Sequence, residues 1–144
     1  MISLFQPGEA VTMAGFNQRL QGILSALPSQ NLKIAAGSYV GTGASGSSNP
    51  NSLSFNFAPV LLVVQSDHQT TVTELSIIQG CTYAQTQMSS VGSGQTWGQR
   101  NHVTFSNNGK VIQWYGDGFS GSSDNIYGQL NVRGIIYRYF AIGA

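Results

Sequence analysis

Two acidic residues that flank a Gly/Ser-rich loop are the first candidates for chemistry. Asp117 and Asp124 stand on either side of residues 118–123. Two carboxylates about 5–10 Å apart across a cleft would suit glycosidic cleavage, and carboxylate oxygens would also suit calcium. The chain has only five Asp and Glu residues, which argues against both uses. We therefore predict no catalytic residue, metal or cofactor, and keep both aspartates as candidate saccharide contacts.

Two further motifs resemble known sites but lack the context that those sites require. Ser66, Asp67 and His68 are consecutive, whereas a catalytic triad is a geometry that neighbours in sequence rarely form. Residues 41–46 spell G-x-G-x-x-G, a nucleotide motif that needs a helix directly after it. An alternating strand pattern follows instead. The other histidine, His102, has no metal-ligand spacing, so we expect both histidines on the surface or in turns.

Aromatic rings among neutral polar residues give the better functional lead. Trp97 lies within Ser89–Gln99, a stretch rich in Gly, Ser, Gln and Thr that we predict to be a loop. Tyr115 follows Trp114 at the end of an apolar segment. An exposed ring can stack on a sugar face while amides and hydroxyls bind the sugar hydroxyls. We predict that Trp97 and Tyr115 contact saccharide together with the two aspartates, and that Trp114 belongs to the core.

The charge content excludes several functional classes. Charged residues make up 8% of 144 residues and the net charge is +1, so there is no basic surface to neutralise nucleic-acid phosphates. One cysteine cannot form an intrachain disulfide. The N-terminus has no basic, apolar leader, and the longest apolar run, Val60–Val64, is too short for a membrane span. We expect synthesis in the cytoplasm, no signal peptide and no membrane insertion.

The N-terminal segment carries a helical repeat. Steps of three and four residues, typical of a helix–helix seam, separate its apolar side chains: Met13, Phe16, Leu20, Ile23 and Leu27. Thr12 can cap the first turn and Pro28 ends the pattern, which predicts a helix over 12–27. Two heptads are marginal alone in water. The seam is therefore buried either on its own domain or against copies of itself in a trimer base.

The rest of the chain has the pattern of short strands. Ser52–Phe57 alternates apolar and polar residues strictly. Asn107-Asn108-Gly109 predicts a hairpin turn, because Asn and Gly tolerate positive φ. Leu130–Ile142 reads as a long closing strand bent at Gly134. We predict a mainly β fold, a lectin-like antiparallel β-sandwich over 31–144, preceded by an attachment or trimerisation segment over 1–30 with a short α-helix.

Several motifs resemble one family. Phe5–Thr12, followed by Phe16 and Asn17, is similar to an entry segment of phage tail proteins. Tyr39–Gly43 and Asn49–Pro59 resemble tail-fibre-like proteins from prophages of Gram-positive and gut bacteria. The hairpin 103–115 and the end of the chain, 129–143, belong to the same pattern. Family members often have lysine after the proline at position 59, where this chain has Val60.

The resemblance implies a virion protein that binds the host surface, usually as a trimer on the phage tail or baseplate. It brings no binding residues with it. Our first hypothesis is a receptor-binding, non-catalytic homotrimer that adheres to bacterial cell-surface saccharide. The second is a virion assembly or decoration protein that binds no glycan. The third is a surface-polysaccharide depolymerase, which the low carboxylate count disfavours.

Overall fold

Alternation of buried apolar and exposed polar side chains forms the long strands of this protein. The computed structural model describes residues 14–15, 17–18, 21–22, 31–66, 68–116 and 124–144, apart from the side chains of 124 and 125. Contacts divide the chain into two units, Met1–Asn31 and Leu32–Ala144. The sheet lies wholly in the second unit. None of the helices in the described residues is long and apolar enough to cross a membrane.

Eight strands and one short helix follow each other along the second unit. In chain order they are β1 (Lys33–Val40), β2 (Asn51–Ser54), β3 (Pro59–Ser66), β4 (Thr71–Ile78), β5 (Tyr83–Ser90), β6 (Thr96–Ser106), β7 (Val111–Gly116), α1 (Asp124–Gly128) and β8 (Ile136–Gly143). All strand pairs are antiparallel and belong to one sheet. The order across this curled sheet is β1-β8-β3-β4-β5-β6-β7-β2.

Two long connections lie at one end of the sheet. Strands β3 to β7 form a meander, whereas residues 41–50 and 117–135 join strands that are not neighbours. The register pairs Val40 with Ile136 and Asn51 with Trp114, so both connections cross the same end, here called the cap end. The opposite end, where β1 begins and β8 finishes, is called the base end.

The core fills the inside of the curl. In β4, Thr73, Leu75 and Ile77 are buried while the residues between them are exposed, because successive side chains of a strand point to opposite faces. The same alternation places apolar side chains of the other strands inward. The buried cluster consists of Phe57, Leu62, Val64, Leu75, Ile77, Val103, Ile112, Trp114, Leu130, Tyr137 and Ala141.

Polar side chains also point inward near the cap end, where they hold the second connection. Asn101 of β6 is fully buried, and its Nδ2 donates to Gly128 O at 3.0 Å and to Thr86 Oγ1 at 2.8 Å. The Thr86 hydroxyl donates to the same carbonyl. The C-terminal end of α1 is thereby fixed to β5 and β6, because a buried carbonyl is costly unless it is paired.

The structure confirms a mainly antiparallel β fold and corrects parts of the detailed prediction. The two layers of a lectin-like sandwich are not confirmed, since all eight strands belong to one sheet. The predicted strand Leu130–Ile142 is wrong in its first half, because Leu130 has φ +59° and β8 begins at Ile136. The predicted loop Ser89–Gln99 is wrong in part, because β6 begins at Thr96.

Two local predictions have different outcomes. The Asn107-Asn108-Gly109 turn is confirmed, with φ of 51°, 54° and 80° in a hairpin between β6 and β7. The N-terminal seam lies outside the described residues: Met13, Phe16, Leu20, Ile23 and Leu27. Described positions between them, including Gln18 and Gln21, have helical backbone. The helix over 12–27 as a whole stays a prediction.

The burial pattern predicts how truncation should affect stability. Leu62 is fully buried in β3, so Leu62→Ala should lower the free energy of unfolding by about 2–5 kcal/mol. Val72, on the outer face of β4, is 39% exposed, and Val72→Ala should cost much less. Urea unfolding measures both values. Equal losses for the two variants would contradict the assigned inner and outer faces of the sheet.

Candidate functional site

A cleft of about 370 Å³ lies at the cap end, where the two edge strands of the sheet approach each other. Ligand sites typically begin near ~300 Å³. Asn51 Nδ2 of β2 donates to the Tyr39 hydroxyl of β1 at 3.1 Å, which shows how close the edges come. The cleft is lined by Tyr39, Val40, Thr42, Ala44, Asn49, Pro50, Asn51, Ser52, Leu53, Trp114 and Asn131.

The unpaired edges of β1 and β2 in the described sheet form part of the cleft wall. Residues 49–53 line it consecutively, although successive side chains of a strand point to opposite faces. The edge of β2 must therefore turn toward the cleft. Both β1 and β2 end the order of strands in the described part of the chain, so each has backbone N–H and C=O groups on a side without a neighbouring strand. Such groups offer alternating donors and acceptors.

The cleft lining combines apolar side chains with polar side chains that carry no charge. Its side-chain amides and hydroxyls come from both connections and from β2: Thr42, Asn49, Asn51, Ser52 and Asn131. Asn51 and Asn131 are buried and bonded within the protein, whereas Thr42, Asn49 and Ser52 are exposed. Exposed amides and hydroxyls donate and accept hydrogen bonds, as sugar hydroxyls also do. The lining includes no Asp, Glu, Lys or Arg. The arrangement suits a neutral ligand rich in hydroxyl groups.

A buried glutamine connects the cleft walls. Gln129 is fully buried, and its Nε2 donates to Asn49 O at 2.7 Å. Its Oε1 accepts from the backbone N–H groups of Gly46 at 2.9 Å and Gly116 at 3.1 Å. One side chain thus joins both long connections to the end of β7. Because buried amides are costly when unpaired, these bonds fix the position of the cleft wall.

Two asparagines complete this support. Asn51 Nδ2 donates to Gln129 O at 2.9 Å from the start of β2. Asn131 Oδ1 accepts from Thr42 N at 2.9 Å, while its Nδ2 donates to Ala44 O at 2.8 Å. Asn131 therefore gives residues 42–44 the bonds that a neighbouring strand would otherwise supply. These bonds hold residues 42–44 in place, although the loop lies outside the sheet.

Two aromatic rings form the floor of the cleft. Tyr39 and Trp114 pack edge to face with centroids 6.4 Å apart. Trp114 is fully buried and its Nε1 donates to Gln129 O at 2.9 Å, as expected for a core residue. The Tyr39 hydroxyl donates to Leu130 O at 2.8 Å, and its ring stacks on Tyr137 at 5.2 Å. Hydrogen bonds to the carbonyls of Gln129 and Leu130, and ring stacking on Tyr137, thus hold the floor in place.

Burial also determines the protonation state of the floor. Burial, with the nearby Tyr137 as a second cause, raises the pKa of Tyr39 far above its ordinary value of 10.0, and the hydrogen bond from Asn51 opposes this only in part. Burial likewise raises the pKa of Tyr137. Both hydroxyls therefore stay neutral in alkaline solution in which an exposed tyrosine would ionise. A neutral Tyr39 keeps its proton for the bond to the Leu130 carbonyl.

The structure places the predicted aromatic contacts away from this cleft. Trp97 lies near the start of β6, pairs with Met88 and is 42% exposed. Tyr115 lies on β7, with its ring stacked on His102 at 5.1 Å. His102 also meets the Tyr83 ring at 5.2 Å. Stacking on His102 covers part of Tyr115, whereas Trp97 has a more exposed surface; neither residue lines the cleft.

The structure describes the acidic candidates and the triad-like run only in part, since Asp67 lies outside the described residues. Asp117 lies outside the described residues, and Asp124 is the first residue of α1. The Ser66 hydroxyl accepts from Thr73 N at 3.0 Å and donates to Thr71 O at 3.2 Å, so it stabilises the start of β4. Within the described ranges, no group of three His, Cys, Asp or Glu residues is placed to hold a metal ion.

Sequence reasoning missed the residues that shape the cleft. Asn51, Gln129 and Asn131 are ordinary amides in sequence, and most of their partners lie between 78 and 89 residues away. No local pattern predicts such contacts. One weak signal existed, since Asn49 and Asn51 follow the Gly/Ser-rich residues 41–48, and Gln129 and Asn131 follow α1, in a chain with few charges.

The buried tyrosines predict a loss of stability at alkaline pH. Their pKa values are raised in the folded protein, so their contribution is complete below the unfolded value of ~10 and is lost as pH rises above it, by up to about 1.4 kcal/mol per pH unit for each group. Tyr39→Phe should reduce this alkaline slope. Urea unfolding between pH 7 and 11 tests it, and an unchanged slope in the variant would contradict the burial of this hydroxyl.

Comparisons with known proteins do not assign the chain to a family. No protein-family model, curated protein or solved structure matches the chain. The resemblance to phage tail-fibre proteins therefore rests on the sequence motifs quoted above. Any function assigned to the cleft depends on the residues that line it and on those motifs.

Proposed function

We propose that this protein is a phage tail-fibre or receptor-binding virion protein that adheres to bacterial cell-surface saccharide without catalysis. In this proposal it is a homotrimer attached to the phage tail or baseplate through residues 1–30. The tail-protein motifs support the virion role. The cleft between β1 and β2 supports the saccharide ligand, and it is the single observation on which the binding site depends.

The chemistry of the cleft favours sugar over other ligands. Its exposed polar side chains, Thr42, Asn49 and Ser52, match hydroxyl groups that both donate and accept. Leu53 and Pro50 give the lining apolar surface for the C–H groups of a sugar ring. An uncharged lining offers nothing to neutralise a phosphate backbone. Because the walls are held by buried amides, little conformational entropy is lost when the ligand binds.

The earlier contact candidates keep a secondary place in this proposal. Trp97 is the most exposed of the large rings that we singled out, and a sugar chain longer than the cleft would offer it a second contact. Tyr115, Asp117 and Asp124 remain candidate contacts in the same sense. Trp114 is not a contact residue, since it is fully buried.

Several weak sites on one particle would make adhesion strong. When three copies bind a repetitive surface, the second and third contacts form at a high effective concentration, which can raise avidity by about two to four orders of magnitude. A small neutral cleft is therefore sufficient for attachment, although each single site is weak. The virion role and the modest site are consistent with each other.

Blocking the cleft mouth tests the proposal. Ser52 lines the cleft and is exposed, so Ser52→Trp should fill it and reduce adhesion to host cells by about tenfold or more. Ser54→Trp is the matched control: Ser54 is exposed on the same face of β2, two residues farther along, and does not line the cleft. Binding of each labelled variant to host cells and to isolated wall saccharides measures the difference in adhesion.

The outcomes separate the candidate roles. Loss of binding in Ser52→Trp, with binding kept in Ser54→Trp and equal melting temperatures, supports the cleft. Equal binding in both variants would contradict it and direct attention to Trp97. A parent protein that binds no host cell or saccharide, yet copurifies with phage tails, would contradict receptor binding and favour assembly or decoration.

A further inference from the structure

Apolar side chains cover the outer face of the sheet at its base end. The register places Ile34, Ile142, Leu61 and Ile78 side by side in one row across β1, β8, β3 and β4. Phe140 and Val63 are paired in the next outward row. These six residues are called the base patch. Three spacings between strands make the row about 14 Å wide.

Three of the six residues of the base patch are exposed, and Leu61, Val63 and Ile142 are half-buried. Ile34 and Ile78 are each 65% exposed, and Phe140 is 41% exposed. Single exposed apolar residues are normal on protein surfaces, but a contiguous group marks an interaction site. The patch also has a sharp boundary, because the row nearer the cap end is polar and pairs Arg138 with Gln65.

The patch extends to the edge strand β1, whose sequence has few features that would prevent pairing with another strand. Among the strands of the described ranges, β1 is hydrogen-bonded to β8 alone. Its sequence, KIAAGSYV, contains no proline and one charge, Lys33 at its first residue. Natural sheets usually block exposed edges with charges, proline or bulges. An unblocked edge beside an apolar face is suited to contact with another polypeptide.

The position where the chain enters identifies that polypeptide. The seam that ends at Leu27 predicts helix association between copies, and six residues separate Leu27 from Ile34. The seven Cα-to-Cα steps between them span at most about 25 Å when extended. If copies associate through the seam, their β1 strands must begin close together, and the base patch is the apolar surface nearest to those starts. A net charge of +1 per chain gives little repulsion between copies.

We propose that the base patch is a contact surface between copies of this chain, which continues an assembly begun by the N-terminal seam. The proposal goes beyond glycan binding and rests only on the self-association included in the proposed function. It assigns the two ends of the sheet different roles. The base end associates with other copies, while the cap end keeps its cleft free for a ligand.

Sedimentation of the full chain over a range of concentrations tests this surface. The parent should be an oligomer, and Ile78→Glu or Ile34→Glu should raise its dissociation constant by at least about tenfold, because the new carboxylate would be buried unpaired. Val72→Glu is the matched control, since Val72 lies on the outer face of β4, nearer the cap end, and is partly exposed. Circular dichroism should show the same fold in all four proteins.

Three results would overturn the proposal. One is a parent that stays monomeric at every concentration. If the Ile78→Glu variant of such a monomer also melts at a lower temperature than the parent, the chain's own N-terminal segment covers the patch. Another is a parent oligomer whose dissociation constant changes equally little in all variants. The third is an equal weakening by Val72→Glu. Saccharide binding by dissociated Ile78→Glu protein would still be expected, so failure here is distinct from failure of the cleft.

Discussion

The hydrogen bonds of one buried side chain, Gln129, hold the cap end together. A glutamine amide removed from water must find partners for its two donors and its carbonyl oxygen, or folding loses about 1–3 kcal/mol for each unpaired group. Gln129 finds them on Gly46, Asn49, Asn51 and Gly116. These partners come from the first long connection and from the ends of β2 and β7. The requirement to pair this amide therefore fixes how the chain crosses the end of the sheet.

This constraint explains why the cap end is both irregular and firm. Leu130 is fully buried with φ +59°, a conformation that costs a residue with a side chain roughly 1–2 kcal/mol. The cost is offset because this turn directs the Leu130 side chain into the core and its carbonyl to Tyr39. A curled sheet with open edges gains a fixed gap between β1 and β2. That gap is the cleft, so the packing that closes the core also shapes the candidate site.

The sequence predicts the parts of this fold that depend on local pattern. Alternation over Ser52–Phe57 identifies β2 in part, since the strand is Asn51–Ser54. Two asparagines before a glycine identify the β6–β7 turn. It misses β5, whose run Thr86-Gln87-Met88 shows no apolar alternation because Thr86 points inward to bind a carbonyl. It also misses the cleft, whose walls come from residues about 80 positions apart. Trp97 is recognisable in the sequence as a ring among polar residues, whereas no local pattern marks the amides that shape the cleft.

Hydrogen exchange at two glycine amides, measured by NMR, tests the central role of Gln129 most directly. The amides of Gly46 and Gly116 both donate to Gln129 Oε1. In the parent they should be protected, and in Gln129→Leu both should exchange faster by at least about tenfold, while the amide of Leu75 in β4 keeps its rate. Unchanged protection of Gly46 and Gly116 in the variant would contradict the account, because the cap end would then be held without this side chain.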